Sequence, residues 1–241
     1  MPSKENMPDL TILVPVYNEE ESVIPLLDEI ISVVGKDPTK VEILFVNDGS
    51  SDRTEELLKG SQKRCPALRV ITFAQNAGQS AAMACGFHQA GGRYIVVLDG
   101  DGQNDPADIP RIVELLDQYE VVCGIRENRR DSWSRRWASR FANWVHQKLL
   151  GDSIVDIGCS LKGFHREPVQ GLYFFNGIHR FLPILLERNG CSVKQIEVNH
   201  RPRQRGKSKY SNLGRALITW QDVLAVRWML KRKLNYKIKE S

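Results

Sequence analysis

Short apolar runs alternate with amphipathic segments along the first half of the chain. The runs are six or seven residues long and rich in β-branched residues, and they read LTILVPV, VEILFV, LRVITF and RYIVVL, starting at positions 10, 41, 68 and 93. Such runs are typical of parallel strands that are buried on both faces. Between the first two, apolar residues recur at helical spacing and predict one buried helix face; they are Val23, Leu26, Leu27, Ile30 and Val34.

Three more helices are predicted after the later strands. The second helix is expected to start at Asp52, whose carboxylate would cap it while Glu55 reaches back from three residues later. A third is expected over about residues 79–90, and a fourth near Pro106. The alternation of strands and helices along the chain predicts right-handed crossovers and hence a doubly wound, mostly parallel α/β sheet.

Polar clusters follow directly after the four predicted strands. They are Tyr17-Asn18-Glu19, Asn47-Asp48-Gly49-Ser50, Gln75-Asn76-Ala77-Gly78 and Asp99-Gly100-Asp101. In an open parallel sheet the carboxyl ends of the strands form the ligand crevice. The four clusters are therefore expected to meet at one edge of the sheet.

The segment LDGDGQNDP, residues 98–106, carries two carboxylates near the end of the fourth strand. Asp99 and Asp101 are two residues apart, and Gln103 follows. Oxygen ligands at this spacing suit Mg²⁺ or Mn²⁺, which usually keep waters and share coordination with substrate phosphates. The alternative is an Asp/Gly turn that merely ends a strand.

The segment NDGSSD, residues 47–52, follows the second strand. The carboxylate of Asp48 at this place is suited to accept hydrogen bonds from an N–H of uracil or guanine. The same residues also fit a turn followed by a helix cap. The segment alone does not decide between nucleotide binding and a structural turn.

The three segments VPVYNEE, NDGSSD and DGDGQ, in this order and spacing, together resemble glycosyltransferase family 2 of the GT-A (Rossmann-like) fold over about residues 8–210. The resemblance implies transfer with inversion at the anomeric carbon. Asp48 would read the base, and Asp99, Asp101 and Gln103 would hold the metal and the diphosphate. It implies a nucleotide-sugar site of seven residues: Pro15, Tyr17, Asn18, Glu19, Asp48, Gly78 and Asp99.

Later segments resemble dolichol-phosphate mannose synthases and bacterial polyprenyl-phosphate glycosyltransferases within that family. They are GIR at 124–126, GCSLKGF at 158–164 and HRPRQRGKSKY at 200–210. The resemblance implies transfer of a hexosyl group from a nucleoside-diphosphate sugar to a polyprenyl (dolichyl or undecaprenyl) phosphate. Guanidinium and ammonium groups bind phosphate oxygens, and the residues expected to hold the acceptor and the diphosphate are Arg126, Arg203, Ser208 and Lys209.

Two alternatives to a phosphate acceptor remain open. A saccharide hydroxyl acceptor, in polysaccharide or glycolipid synthesis, would need a protein base, for which Asp156 is the candidate, whereas an ionised phosphate needs none. A non-catalytic adaptor that binds anionic lipid is the second alternative. Nucleic acid is not expected as a partner, because the aromatic residues lie on predicted helices rather than on a sheet face. The extra residue before Pro106 and the lysine at position 162 depart from the family pattern.

The net charge of +5 is unevenly distributed. Residues 126–150 carry seven Arg and Lys against two acidic residues, and residues 201–241 carry twelve against two. All five tryptophans lie in these two basic regions, the first three on the stripe Trp133, Trp137, Phe141, Trp144, Val145 and Leu149. Cations beside aromatic residues are typical of helices in the headgroup region of a membrane.

The domain organisation expected from these patterns is a GT-A domain over residues 1–210 and an amphipathic, basic, membrane-interfacial tail over 211–241. Residues 213–230 are too polar to span a bilayer. The polar first nine residues do not fit a secretory signal, and the five scattered cysteines fit neither a disulfide framework nor a zinc site. We expect a cytoplasmic protein, peripheral on the inner face of the membrane, with a membrane partner protein or a second copy as possible companions.

Overall fold

The computed structural model describes residues 7–126, 149–151, 153–202 and 212–232. Strands and helices alternate along the first part of the chain, as the apolar pattern predicts. The strands are β1 Leu10–Val16, β2 Val41–Asn47, β3 Leu68–Thr72, β4 Tyr94–Val97, β5 Val121–Arg126, β6 Lys162–His165 and β7 Val193–Val198. The α-helices are α1 Val23–Val34, α2 Thr54–Ser61, α3 Gln79–Gln89, α4 Ile109–Leu116, α5 Arg166–Gln170, α6 Leu182–Arg188 and α7 Asn212–Lys231.

The strands form one seven-stranded sheet in the order β3-β2-β1-β4-β6-β5-β7. The first four strands pair with one another in parallel, and β7 is parallel to β5. The strand β6 runs antiparallel to both β4 and β5. The predicted doubly wound, mostly parallel sheet is confirmed, with β6 as its antiparallel member.

The central strands are buried on both faces, which explains their continuous apolar runs. In β1, the residues from Thr11 to Val16 are all buried, and in β2 all but Glu42 are. The helix α1 buries the predicted face through Val23, Leu26, Leu27 and Ile30. The apolar residues of α1, β1 and β2 therefore belong to one buried hydrophobic cluster.

The start of α2 differs from the prediction. The helix begins at Thr54 rather than at Asp52. The Asp52 carboxylate accepts hydrogen bonds from the backbone N–H of Thr54 at 3.0 Å and of Glu20 at 3.2 Å. Glu55 forms an ion pair with Lys59 along the helix instead of reaching back. Asp52 thus closes a turn before the helix and ties it to the segment after β1.

The chain divides into two compact units. One comprises Met1–Arg130 with Asp156–Lys207, and the other Asp131–Val155 with Ser208–Ser241. The first contains the whole sheet, and the second contains α7. The predicted division at residue 210 stays a prediction. Among the described residues, no helix combines the length and the hydropathy needed to cross a membrane.

Candidate active site

The carboxylate of Asp48 joins the segment after β2 to the loop after β3. It is almost fully buried, and its Oδ1 accepts a hydrogen bond of 2.7 Å from the N–H of Ala77. Its Oδ2 accepts from the N–H of Gly78 at 2.9 Å and from the side chain of Asn76 at 2.8 Å. Two predicted nucleotide-site residues, Asp48 and Gly78, are therefore in direct contact.

The loop after β1 is bound to the segment after β2 through Asn18. The N–H of Asn18 donates to Oγ of Ser50 at 2.8 Å, and its Oδ1 accepts from the N–H of Ser51 at 2.7 Å. Asn18 has a φ of 51°, a left-handed conformation that asparagine tolerates better than most side chains. The N–H of Glu19 donates to Oγ1 of Thr54. Tyr17 precedes this turn, half-buried, and Pro15 lies buried within β1.

The loop after β4 carries the predicted metal ligands. The Oδ1 of Asp99 accepts a hydrogen bond of 3.0 Å from the side-chain amide of Gln79, the first residue of α3. The Oδ1 of Asp101 accepts from the N–H of Gln103 at 3.1 Å. The three predicted ligands lie in one short loop at the carboxyl edge of the sheet, beside the start of α3.

The electrostatics of Asp99 fit a divalent cation. Burial raises the pKa of the Asp99 carboxyl above its ordinary value, and the negative charge of Asp101 raises it further. The Ser160 hydroxyl and the charges of Lys162 and Arg126 act in the opposite direction. Because a dication between two repelling carboxylates would relieve their repulsion, the pair suits Mg²⁺ or Mn²⁺.

The ligand set offered by this loop is small. Within the ranges that the structure describes, no group of three or more His, Cys, Asp or Glu side chains is placed to hold a metal. The two carboxylates and the Gln103 amide would leave further positions to phosphate oxygens and water. This is the usual situation of Mg²⁺ at phosphate-binding sites, where the ion retains several waters.

Asn104 and Asp105, which the family pattern leaves unassigned, support the loop. Asn104 is buried, and its Oδ1 accepts from the N–H of Asp99 at 3.1 Å and from the Ser160 hydroxyl at 2.8 Å. Asp105 forms an ion pair of 2.7 Å with Arg201. The N–H of Arg201 in turn donates to the carbonyl of Gln103 at 2.8 Å. The segment after β7 is therefore bound to the loop with the carboxylates.

Arg126, at the end of β5, forms a two-point ion pair with Asp156. Its Nε donates to Oδ2 of Asp156 and its Nη2 donates to Oδ1, both at 2.8 Å. The backbone N–H of Arg126 also donates to Oδ2, at 3.2 Å. The two side chains are only 16% and 9% exposed. The residue predicted to bind phosphate and the candidate base are thus one buried pair.

Lys162 has a structural explanation. The side chain is buried in β6, and its ammonium donates to the backbone carbonyls of Ile157 and Cys159. These carbonyls belong to the turn that begins with Asp156. The lysine thus compensates backbone acceptors that would otherwise be buried without a donor.

Several predicted residues lie outside the part of the chain that the structure describes. They are Arg203, Ser208 and Lys209 of the basic loop and Trp133, Trp137, Phe141, Trp144 and Val145 of the first aromatic stripe. The sequence interpretation also missed three residues that contact or support Asp99, namely Gln79, Asn104 and Ser160. The position of Gln79 directly after the cluster at 75–78 was the one signal available for it.

The sequence of this site matches a known domain. The pattern described as "Glycosyl transferase family 2" matches residues 11–172, a span that includes the edge loops, the Arg126–Asp156 pair and β6. This chain belongs to glycosyltransferase family 2. The resemblance stated from the motifs is confirmed. The match covers the sheet from β1 to β6.

Relatives of this family 2 protein include two bacterial proteins with the name undecaprenyl-phosphate 4-deoxy-4-formamido-L-arabinose transferase. The protein of Edwardsiella ictaluri is 38% identical over 204 residues, which cover 83% of this chain and 62% of the relative. The protein of Pseudomonas paraeruginosa is 40% identical over 205 residues, which cover 84% of this chain and 60% of the relative. The chain therefore spans less than two thirds of the length of these relatives.

Solved structures with the same fold include glucosyl-3-phosphoglycerate synthase from Mycobacterium tuberculosis. Its complex with Mn²⁺, uridine diphosphate and phosphoglyceric acid superimposes with a TM-score of 0.70 at 18% identity, covering 95% of this chain and 80% of that one. Its complex with Mg²⁺ and uridine diphosphate superimposes with a TM-score of 0.67, covering 92% of this chain and 79% of that one. At this level of identity the likeness establishes the GT-A fold, and the predicted fold class is confirmed.

Proposed function

We propose that this protein transfers a sugar, with inversion, from a nucleoside diphosphate to a polyprenyl phosphate at a membrane surface. One observation carries the proposal: a buried carboxylate, a pair of neighbouring carboxylates and a largely buried guanidinium lie at the carboxyl edge of one sheet. They are Asp48, Asp99 with Asp101, and Arg126. The two relatives named as undecaprenyl-phosphate sugar transferases support this acceptor class.

The donor half of the site rests on the loops after β1 to β4. Asp48, held against Gly78, would face the base, and Pro15, Tyr17, Asn18 and Glu19 would line the base and ribose. Asp99, Asp101 and Gln103 would hold Mg²⁺ or Mn²⁺ together with the diphosphate. When bound, the cation would neutralise the charge that develops on the departing nucleoside diphosphate. The crystallised fold neighbours with Mn²⁺ or Mg²⁺ and uridine diphosphate support this metal use.

The transfer step needs no proton acceptor from the protein. A phosphate oxygen of the acceptor forms the new bond to the anomeric carbon, on the face opposite the diphosphate. The bond from that carbon to the diphosphate oxygen breaks, and its electron pair leaves with the nucleoside diphosphate. Arg126, with the predicted contacts Arg203, Ser208 and Lys209, would reduce the repulsion between the anionic acceptor and donor.

The Arg126–Asp156 pair favours a phosphate over a hydroxyl acceptor. A hydroxyl acceptor needs a base within hydrogen-bond reach of its proton. Both carboxylate oxygens of Asp156, the candidate base, accept hydrogen bonds from the Arg126 guanidinium. Such pairing holds both oxygens against the guanidinium and leaves the carboxylate poorly placed to take a proton from a hydroxyl.

The surface of α7 supports attachment to a membrane. Trp220, Leu224 and Trp228 follow one another at intervals of four residues and are 48%, 43% and 62% exposed. Val223 and Val226 of the same helix are buried. Basic side chains accompany the exposed row: Arg227 and Lys231 lie in the last two turns of α7, and Arg232 directly follows the helix, with its guanidinium 5.8 Å from the centre of the Trp228 ring. Aromatic residues beside cations suit an anionic leaflet, here the cytoplasmic face.

A transfer assay tests the proposed function. The purified protein is incubated with Mn²⁺ or Mg²⁺, undecaprenyl phosphate and one labelled donor at a time: GDP-mannose, UDP-glucose or a nucleotide-linked 4-deoxy-4-formamido-L-arabinose. We expect label in the lipid fraction with at least one donor, and none after chelation. The proposal fails if a saccharide hydroxyl, but not the lipid phosphate, accepts the sugar, or if chelation leaves the rate unchanged.

A further inference from the structure

We propose that Asp156 and Gly158 act as positioning residues, which orient the guanidinium of Arg126 towards the phosphate it binds. The proposal rests on the proposed function for the identity of that phosphate. It assigns to Asp156 a role other than that of a base, and it gives a reason for the glycine at position 158. Neither residue would touch the reacting atoms.

The hydrogen bonds between Arg126 and Asp156 fix the arginine at both ends. The carboxylate binds the backbone N–H of Arg126 at 3.2 Å and two guanidinium nitrogens at 2.8 Å. An unrestrained arginine loses side-chain conformational entropy when a ligand immobilises it. Because Asp156 already restrains this side chain in the folded protein, part of that cost is met before the acceptor arrives.

The guanidinium also lies against the backbone at Gly158. A Cβ at position 158 would come within 2.7 Å of Nη2 of Arg126 and 3.7 Å of Oδ1 of Asp156. The positive-φ glycines of the described residues do not include Gly158, so a left-handed backbone does not explain this glycine. The glycine is explained instead by the space that the Arg126 guanidinium occupies beside it.

The pairing determines which edge of the guanidinium can face a phosphate. Asp156 binds the edge formed by Nε and Nη2. A phosphate that binds the same guanidinium would therefore not approach it at this edge. The charge of Arg126 also acts on Asp99, so the guanidinium lies within electrostatic range of the carboxylates predicted to hold metal and diphosphate. Its orientation thus affects where the acceptor phosphate is held relative to the donor.

A double-mutant cycle separates positioning from base catalysis. The variants are Asp156→Asn, Arg126→Ala and the double variant, each assayed for kcat and for KM of undecaprenyl phosphate. We expect Asp156→Asn to raise KM for the lipid phosphate about tenfold and Arg126→Ala about a hundredfold, with KM for the donor unchanged. If Asp156 acts through Arg126, the double variant is no worse than Arg126→Ala. The proposal would be overturned if the effects of the two single variants on KM multiplied in the double variant. It would also be overturned if Asp156→Asn lowered kcat and high pH restored it.

Gly158→Ala provides a second variant that keeps both charges. We expect it to displace the guanidinium and to raise KM for the lipid phosphate by a factor similar to that of Asp156→Asn. Gly171→Ala is the matched control, because a Cβ there meets only ordinary contacts of 3.6 and 3.9 Å, and it should leave KM unchanged. Equal KM values for the wild type and Gly158→Ala would contradict the steric argument.

A readout independent of activity completes the test. The Nε–H proton of Arg126 gives a ¹H–¹⁵N NMR signal, assigned by its loss in Arg126→Ala, which should be shifted and protected from exchange in the wild type. We expect Asp156→Asn and Gly158→Ala to remove this protection. If the wild type transfers sugar to no polyprenyl phosphate, the proposed function fails while this signal still reports the positioning. An Nε–H that stays protected in both variants would overturn the positioning alone.

Discussion

The side-chain amide of Gln79 donates a hydrogen bond of 3.0 Å to Oδ1 of Asp99, and it thereby joins the first turn of α3 to the loop after β4. One carboxylate oxygen of Asp99 is thus oriented by a residue of a helix that precedes β4 in the chain. Because hydrogen bonds to charged groups are directional and stronger than neutral ones, this contact restricts the rotation of the carboxylate. The position of a cation bound to Asp99 would depend on it.

Gln79→Ala should weaken cation binding without unfolding the protein. Loss of one partly exposed hydrogen bond to a carboxylate is expected to cost about 1 kcal/mol, which raises the half-maximal Mn²⁺ concentration about fivefold. The measurement is a Mn²⁺ titration of nucleotide affinity. Gln62→Ala is the matched control, since the Gln62 amide donates to the carbonyl of Leu68, away from the loop after β4. An unchanged Mn²⁺ titration for Gln79→Ala would mean that the contact does not orient a metal ligand.

Gly49 and Gly35 allow conformational strain to be separated from steric clash. Both have positive φ, which is 67° at Gly49 and 79° at Gly35. A Cβ at Gly49 would lie 2.5 Å from the backbone carbonyl carbon of Gln75, whereas a Cβ at Gly35 would have no other atom within 4 Å. Gly35→Ala should lower the free energy of unfolding by about 2 kcal/mol, because the backbone at φ 79° and ψ −168° lies in a region that is almost exclusive to glycine. Gly49→Ala should cost clearly more.

The measurement for this pair is denaturant unfolding of both variants, with a nucleotide titration beside it. Because the clash at Gly49 would push the 75–78 loop away from Asp48, we expect weaker nucleotide binding in Gly49→Ala and none of this effect in Gly35→Ala. Equal stability of the two variants would show that the loops after β2 and β3 are not in close contact.

The exposed aromatic row of α7 should determine binding to anionic vesicles. The double variant Trp220→Ala with Trp228→Ala is expected to weaken partition onto vesicles of phosphatidylcholine with phosphatidylglycerol by at least about tenfold, since each ring buries a large apolar area in the interface. Tyr173→Ala is the control, because this tyrosine is 81% exposed and lies in the other unit. Partition that is unchanged by loss of both rings would refute membrane attachment through α7.

The first half of the fold was accessible from the sequence because its signals are local. The central strands β1 and β2 read as continuous apolar runs, and the apolar positions of α1 repeat with helical spacing. The strands β6 and β7 gave no such signal. The strand β6 has only four residues and includes a buried lysine, and β7 is half-exposed along most of its length. Their place in the sheet depends on long-range pairing with β4 and β5.

The site was predictable in its composition but not in its contacts. Strand ends mark where Asp48, Asp99 and Asp101 belong, because parallel strands bring their carboxyl ends together. Nothing in the spacing of Arg126 and Asp156, thirty residues apart, indicates that they form a pair. Likewise, nothing in the sequence indicates that the Ser160 hydroxyl donates to Asn104, fifty-six residues earlier in the chain. Contacts across such distances in the sequence are set by tertiary packing.

Calorimetric titration of nucleoside diphosphate tests the central claim most directly. UDP and GDP are titrated into the wild type and into Asp101→Ala, each with Mn²⁺ and with chelator. We predict metal-dependent binding of at least one nucleotide to the wild type, and a loss of at least about a hundredfold in affinity for Asp101→Ala with Mn²⁺ present. Asp37→Asn changes an exposed carboxylate that precedes the amino end of β2, whereas the site lies at the carboxyl end, and this variant should bind like the wild type. Equal affinity with and without metal, or full affinity in Asp101→Ala, would contradict the account.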